Sequence, residues 1–259
     1  MTGPQIAKPS FRAPAYKMPE HPPVYPIVAW AESEGGLRTD AMPATATFVS
    51  ERGLFFTARH VIELADDPAA LRVFFHNTEK FFPQPFIWLT HDTLDVAVGL
   101  VGVPKGTLET RLVIGIDEVE CGEEIWTIGY GEYVAVEHEG ATPDSRGLTL
   151  NLWPALRKGT LLDVLPGGAP MTRGPAYAHS AYTPGGNSGG PLIRASTQTL
   201  HGICSTGTGA DNLADAYGVA TDIRAILDWP LPFFAGDTLR DLAARGIVSL
   251  RSAAPSHVK

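Results

Sequence analysis

Ser188 stands in the segment Thr183-Pro184-Gly185-Gly186-Asn187-Ser188-Gly189-Gly190-Pro191, one hydroxyl among four glycines, with the apolar pair Leu192-Ile193 directly behind it. Glycine lets the backbone take positive φ and approach a ligand closely. It also leaves amide N–H groups uncovered by side chains. A nucleophile beside free N–H donors is what acyl transfer requires, because the donors hold the oxyanion that forms on attack. Read by itself, such a segment is more often a Gly-rich turn between two strands.

Two further segments carry groups that could serve such a hydroxyl. In Leu54-Phe55-Phe56-Thr57-Ala58-Arg59-His60-Val61-Ile62 an apolar strand runs straight into a histidine, a position from which His60 can sit at a barrel rim instead of inside the core. In His91-Asp92-Thr93-Leu94-Asp95-Val96-Ala97-Val98 an aspartate precedes an alternating apolar strand. In isolation the first reads as a surface or capping histidine and the second as a turn or strand-start residue. Asp92 competes with Asp95, but Asp95 alone has the apolar strand directly after it.

The elements that would carry these residues are short apolar runs of strand length, punctuated by Gly, Pro and Asp. Ala44–Val49, Gly53–Phe56, Leu71–Phe75, Phe86–Leu89 and Val96–Val101 form one set, rich in Val, Ile, Phe and Thr. A second set is Arg111–Ile114, Glu124–Gly129, Tyr133–Glu137, Leu148–Leu152, Thr160–Leu165, Pro191–Ile193, Leu200–Ser205 and Tyr217–Thr221. Many short strands at near-regular spacing predict an all-β barrel or sandwich, and the count suits two barrels of about six strands split near Val103–Glu109. Short helical signals fall at Ala58–Leu64, at Thr221–Leu227 and at Asp237–Arg245. The last has Asp237 as expected N-cap and Gly246 after its final turn. The expected organisation is a proline-rich leader over 1–26, extended or disordered, barrels over 27–106 and 107–230, and a helix and tail over 231–259.

Composition narrows the partners. The 259 residues carry a net charge of −8 and no Lys/Arg cluster, so no nucleic-acid partner is expected. No apolar run approaches the roughly 18–20 residues that span a bilayer, so no membrane partner is expected either. Two cysteines, Cys121 and Cys204, suit a reducing compartment. The leader has seven prolines and no continuous apolar stretch, unlike a signal peptide, and a cytoplasmic address is expected. The sequence has no H-E-x-x-H and no C-x-x-C, so neither metal nor cofactor is expected.

Together the three segments resemble the chymotrypsin/trypsin-like serine peptidases. That family carries T-A-x-H-V, D-[apolar]-A-[apolar] and G-N/D-S-G-G-P in this order. Here they stand as Thr57-Ala58-Arg59-His60-Val61, Asp95-Val96-Ala97-Val98 and Gly186-Asn187-Ser188-Gly189-Gly190-Pro191. The order His, Asp, Ser is that of the chymotrypsin fold. Gly202-Ile203-Cys204-Ser205-Thr206-Gly207 and Tyr217-Gly218-Val219-Ala220 resemble the two strands beside the family's substrate pocket. The resemblance spans roughly residues 40–230 and implies two packed six-stranded antiparallel β-barrels with short C-terminal helices. It implies a serine endopeptidase acting on protein or peptide substrates through an acyl-enzyme. Ser188 would be the nucleophile, His60 the general base, Asp95 the residue that orients the histidine, and the N–H groups of Gly186 and Ser188 the oxyanion hole.

One departure is Asn187, where digestive trypsin-like enzymes have an aspartate that pairs with a processed N-terminus. An asparagine cannot make that ion pair, so the loop is expected to be set without such cleavage. The substrate pocket implied by the resemblance comprises Tyr182, Thr183, Cys204, Ser205, Thr206, Gly207 and Gly218. It has no acidic residue at its base, which argues against Lys or Arg before the scissile bond and points to a small or apolar residue there. Cys204 stands where glutamyl endopeptidases of this fold use a histidine. His201, three residues away, should face the other side of the strand. The competing readings are a catalytically silent or latent copy of the fold serving as a binding module, and an esterase using the same triad.

Overall fold

The structure, a computed structural model, describes residues 23–31, 36–37, 43–76, 81–103, 108, 110–139, 146–170, 172–207 and 217–252. The first barrel is built from β1 (Val24–Ala31), β2 (Gly36–Leu37), β3 (Ala44–Phe48), β4 (Leu54–Thr57), β5 (Leu71–His76), β6 (Phe81–Gln84), β7 (Phe86–Thr90) and β8 (Ala97–Val101). The strand order is β6-β5-β1-β3-β4-β8-β7, all antiparallel, with β2 paired to β1, and the ring stays open between β6 and β7. A short helix, α1 (Arg59–Glu63), follows β4.

The second barrel comprises β9 (Val113–Gly115), β10 (Glu124–Glu139), β11 (Arg146–Leu165), β14 (Ala176–His179), β15 (Pro191–Arg194), β16 (Thr199–Gly207), β17 (Gly218–Asp222) and β18 (Leu250–Arg251), with the small ribbon β12 (Gly168–Ala169) and β13 (Thr172–Arg173) between β11 and β14. The ring β15-β10-β11-β14-β17-β16 closes through β15–β16, giving six antiparallel strands. Strands β9 and β18 extend it in parallel from β16. The expected all-β architecture of two antiparallel barrels is therefore the observed one.

Apolar residues at alternate strand positions fill both barrels. Ala46, Phe48, Phe55, Val73 and Phe75 pack inside the first, and Ile125, Leu161, Tyr177, Leu192 and Ala220 inside the second. A further cluster joins Phe56 and Val98 of the first sheet, with Val96 just before β8, to Ile114, Leu200 and Ile203 of the second. The helix α2 (Leu239–Ala244) closes that cluster with Leu239 and Leu242. Burying each such side chain contributes roughly 1.5–3 kcal/mol, so the seam between barrels is core rather than a mobile interface.

The differences from the sequence reading have local causes. Expected strands at 124–129 and 133–137 are one strand, β10, because the register shift between Gly129 and Glu132 lets pairing continue past the polar interruption. Those at 148–152 and 160–165 are likewise one, β11. Its Pro154 falls opposite that irregularity, where no ladder hydrogen bond is lost. β1 begins at Val24 and runs through Pro26, where it pairs with β3 alone and is locally an edge. Most of the expected leader, and residues 104–107 and 109 of the expected split near Val103–Glu109, lie outside the described residues. Thr221–Leu227 contains a 3₁₀ turn, Ile223–Ile226. Helix α2 is capped by Thr238 and not Asp237, since the Thr238 side chain and Asp241 form a reciprocal capping box. The Asp237 carboxylate instead pairs with Arg245.

Candidate active site

The sequence of β4 delivers His60. Leu54, Phe55 and Phe56 are fully buried, and the chain turns into α1 one residue after Ala58, so the imidazole stands at the mouth between barrels. Asp95 reaches the same point from the loop before β8. That loop is held by His91, whose Nδ1 accepts the backbone N–H groups of Thr93 and Leu94, both at 3.2 Å. The Arg59 guanidinium donates to the carbonyl of His91 at 3.0 Å and also to that of Asp92. Asp95 is buried, 8% exposed, whereas Asp92 is exposed.

Ser188 arrives on two consecutive turns. Asn187 N–H donates to the Pro184 carbonyl at 3.1 Å and Gly190 N–H to the Asn187 carbonyl at 2.8 Å. Gly186 (φ 94°) and Gly189 (φ 88°) occupy the third position of each turn, a positive-φ site that type II turns reserve for glycine. A Cβ on Gly186 would lie 2.5 Å from the Tyr130 carbonyl oxygen, and one on Gly189 would lie 2.1 Å from that of Thr45. The loop thus sits directly on β10 and β3.

Strand β3 fastens the loop across the barrel seam. Thr45 N–H donates to the Ser188 carbonyl at 2.9 Å, Thr45 Oγ1 to the Gly186 carbonyl at 2.8 Å, and Thr47 Oγ1 to the Gly189 carbonyl at 2.7 Å. Thr45 Oγ1 also accepts the N–H of Tyr130 at 3.1 Å. From the second barrel, Asn187, which is 0% exposed, accepts the Gly131 N–H on its Oδ1 at 3.0 Å. The loop conformation is therefore held by an internal backbone donor at the position where digestive relatives use an ion pair. With its carbonyls so engaged, the loop leaves the N–H groups of Gly186 and Ser188 without an acceptor among the described residues.

The three side chains form one line. His60 Nδ1 lies 2.9 Å from Asp95 Oδ2 and 3.1 Å from Oδ1, and His60 Nε2 lies 2.9 Å from Ser188 Oγ. Asp95 Oδ1 also accepts the backbone N–H of His60 at 2.9 Å, and Oδ2 accepts the Ser205 hydroxyl. Burial alone would raise the Asp95 pKa. Hydrogen bonding and charge from His60, with the Ser205 hydroxyl, outweigh it and hold the carboxyl below the usual range. An ionised carboxylate only accepts, so Nδ1 must carry the proton and Nε2 presents its lone pair to Ser188.

The expected pocket residues separate into different roles. The Ser205 hydroxyl is committed to Asp95 and lies 2.7 Å from Thr172 Oγ1, while the Ser205 carbonyl faces Ser188 Oγ at 3.3 Å. The buried Cys204 thiol, pushed up to about 12 by desolvation, stays protonated, and its backbone bonds to Gly189 and Gly190. Tyr182 packs under the Arg157 guanidinium, 5.5 Å from its ring centre. Thr183, Gly207 and Gly218 do meet, with Thr206 between Ser205 and Gly207 on β16. They meet in close contact: a methyl on Gly207 would lie 2.4 Å from the Thr183 carbonyl oxygen, and one on Gly218 would lie 2.3 Å from Thr183 Oγ1 and from the ring of His179. His201 faces away, its Nε2 at 2.9 Å from Thr199 Oγ1.

Two antiparallel barrels with a Ser–His–Asp line across their seam define the class of the trypsin-like fold. The chain belongs to the trypsin-like peptidase domain family, whose model matches residues 44–203. Among solved structures it is similar to the MamO protease domain of Magnetospirillum magneticum, with 18% identity, a TM-score of 0.55, and 79% of this chain and 94% of that one covered. It is similar to the active form of the Rv3671c protease of M. tuberculosis, with 17% identity, a TM-score of 0.54, and 90% and 84% covered. It is also similar to the HtrA-type protease AlgW, with 15% identity, a TM-score of 0.56, and 87% and 62% covered. At these identities the likeness bears on the fold. The comparison with curated proteins found no match.

Proposed function

We propose that the protein is a serine endopeptidase that cleaves protein or peptide substrates through an acyl-enzyme, with Ser188, His60 and Asp95 as its catalytic residues. The observation that carries this reading is the unbroken line Ser188 Oγ–His60 Nε2 and Nδ1–Asp95 Oδ2, each gap 2.9 Å. Ser188 Oγ attacks the scissile carbonyl carbon, its proton passes to His60 Nε2, and the carbonyl π electrons move to oxygen. The N–H groups of Gly186 and Ser188 receive that oxyanion. Asp95 stabilises the imidazolium. Collapse breaks the C–N bond, and the departing nitrogen takes the proton from Nε2. Water then attacks the ester carbonyl carbon, giving a proton to His60 Nε2; the C–Oγ bond breaks, and Nε2 returns that proton to Ser188 Oγ.

The contact of Thr183 with Gly207 and Gly218 favours a small residue before the scissile bond. The proposed setting is the cytoplasm, in keeping with Cys121 and Cys204 both being free thiols. Proteome-wide cleavage-site profiling tests the activity. The wild type should generate new peptide termini that the Ser188→Ala variant does not, with small residues on the acyl side. Identical termini from both proteins would refute the reading.

A further inference from the structure

A cavity of about 510 Å³ opens beside Ser188 on the face of the first barrel. Its floor is apolar: Ile27 and Ala29 from β1, Ala44 from β3 and Leu71 from β5. Val61, Leu64 and Ala65, from α1 and the turn after it, form the opposite wall, and Leu64 is 78% exposed at the edge. Asp66 and Asp67 end that wall. The inner end is made by His60, Gly186 and Ser188 themselves. A volume in this range is that of a ligand-binding pocket, and an apolar pocket open to solvent gains free energy when an apolar side chain enters it.

Which half of a substrate reaches it follows from the proton transfers. His60 Nε2 must deliver its proton to the leaving nitrogen. The half of the substrate after the scissile bond therefore lies on the His60 side, over α1, where this cavity is. The acyl half lies on the other side of Ser188, along β16, where Thr183 is packed onto Gly207 and Gly218. The apolar cavity thus lies on the leaving-group side. Resting on the peptidase reading, we propose that substrate selection is made after the scissile bond, by seating a large apolar side chain in the cavity between β1, β3, β5 and α1. Acidic side chains are disfavoured there by Asp66 and Asp67.

Partitioning of an acyl-enzyme measures this site directly. Acylation by p-nitrophenyl acetate places a two-carbon acyl group on Ser188, with no side chain to fit, and releases p-nitrophenol. An added amino-acid amide then attacks the ester carbonyl from the leaving-group site. Its nitrogen passes a proton to His60 Nε2 as the C–N bond forms, the C–Oγ bond breaks, and Ser188 Oγ recovers the proton. At equal concentration, leucinamide and phenylalaninamide should capture the acetyl group about tenfold or more better than glycinamide, the effect of burying one such side chain. The α-amide of aspartate should do no better than glycinamide. Ala65→Trp, which fills the cavity, should bring the leucinamide-to-glycinamide ratio to within about twofold of one. Equal capture of all the amides, or capture of none, after a clear burst of p-nitrophenol would overturn this inference and leave the peptidase reading standing. Absence of the burst would overturn both. The wild-type series stands alone if the tryptophan variant does not fold.

Discussion

Two buried histidines make the fold sensitive to mild acid. His179 and His201 are both essentially inaccessible to solvent. Burial lowers each ring from 6.5 to about 4. For His179 it is partly offset by the Ala181 backbone, and for His201 it is reinforced by Arg194 and Arg224 and opposed by Asp222 and Asp117. In the unfolded chain both titrate near 6.5, so between pH 7 and 5 the unfolded state takes up more protons than the folded one, and stability must fall as pH falls. Linkage gives about 2 kcal/mol per histidine over that interval and about 4 kcal/mol for the two, a large share of the 5–15 kcal/mol typical of a domain. Asp95, held below its usual range, stays ionised in both states across this window and contributes nothing to the slope. With an m-value on the order of 3 kcal/mol/M, the urea midpoint should drop by about 1 M from pH 7 to pH 5. His179→Gln and His201→Gln should each remove about half of that drop, whatever their absolute stabilities. A midpoint unchanged between pH 7 and 5, or a drop untouched by both substitutions, would refute the reasoning.

Three further predictions concern the site. Asp95→Asn leaves the geometry but lets Nδ1 face a donor, so kcat at neutral pH should fall about 10⁴-fold, read by peptide hydrolysis. Ser205→Ala removes one hydrogen bond to an ionised carboxylate, worth about 1.5–3 kcal/mol. It should lower kcat by about tenfold to a hundredfold with KM little changed, in contrast to the KM effect expected of a pocket residue. Thr45→Val strands the Gly186 carbonyl and the Tyr130 N–H, and should cost on the order of 1–3 kcal/mol in urea unfolding. Its kcat should fall as well, because the same hydroxyl fixes the nucleophile loop.

His60, Asp95 and Ser188 are legible in the sequence because each follows or precedes a strand that reads clearly from its apolar residues, and because glycine spacing betrays the turns around Ser188. The partners that hold them are not. Thr45 bonds a residue 141 positions away and Ser205 one 110 positions away, and nothing local marks a strand threonine or serine as a tether. Alternation in Ala44-Thr45-Ala46-Thr47-Phe48 does show two threonines on one face, the only signal that could have flagged them. The resemblance places Ser205 in the pocket lining, since its strand position fits either role until the Asp95 carboxylate is located. The closed contact among Thr183, Gly207 and Gly218 depends on backbone separations between strands, which residue types do not encode. Likewise the cavity on the first barrel arises from Ile27, Ala29, Ala44 and Leu71, which in the sequence look like ordinary core.

The most direct test of the account is covalent labelling of Ser188. A fluorophosphonate reacts only with a serine whose hydroxyl is deprotonated by a neighbouring base and whose oxyanion is stabilised. Incubated with the full chain and mapped by peptide mass spectrometry, the probe should modify Ser188 alone. Labelling should vanish in Ser188→Ala and slow by several orders of magnitude in His60→Ala. A folded wild-type protein that stays unlabelled, or labelling that survives the His60 substitution at the same rate, would contradict the proposed catalytic line.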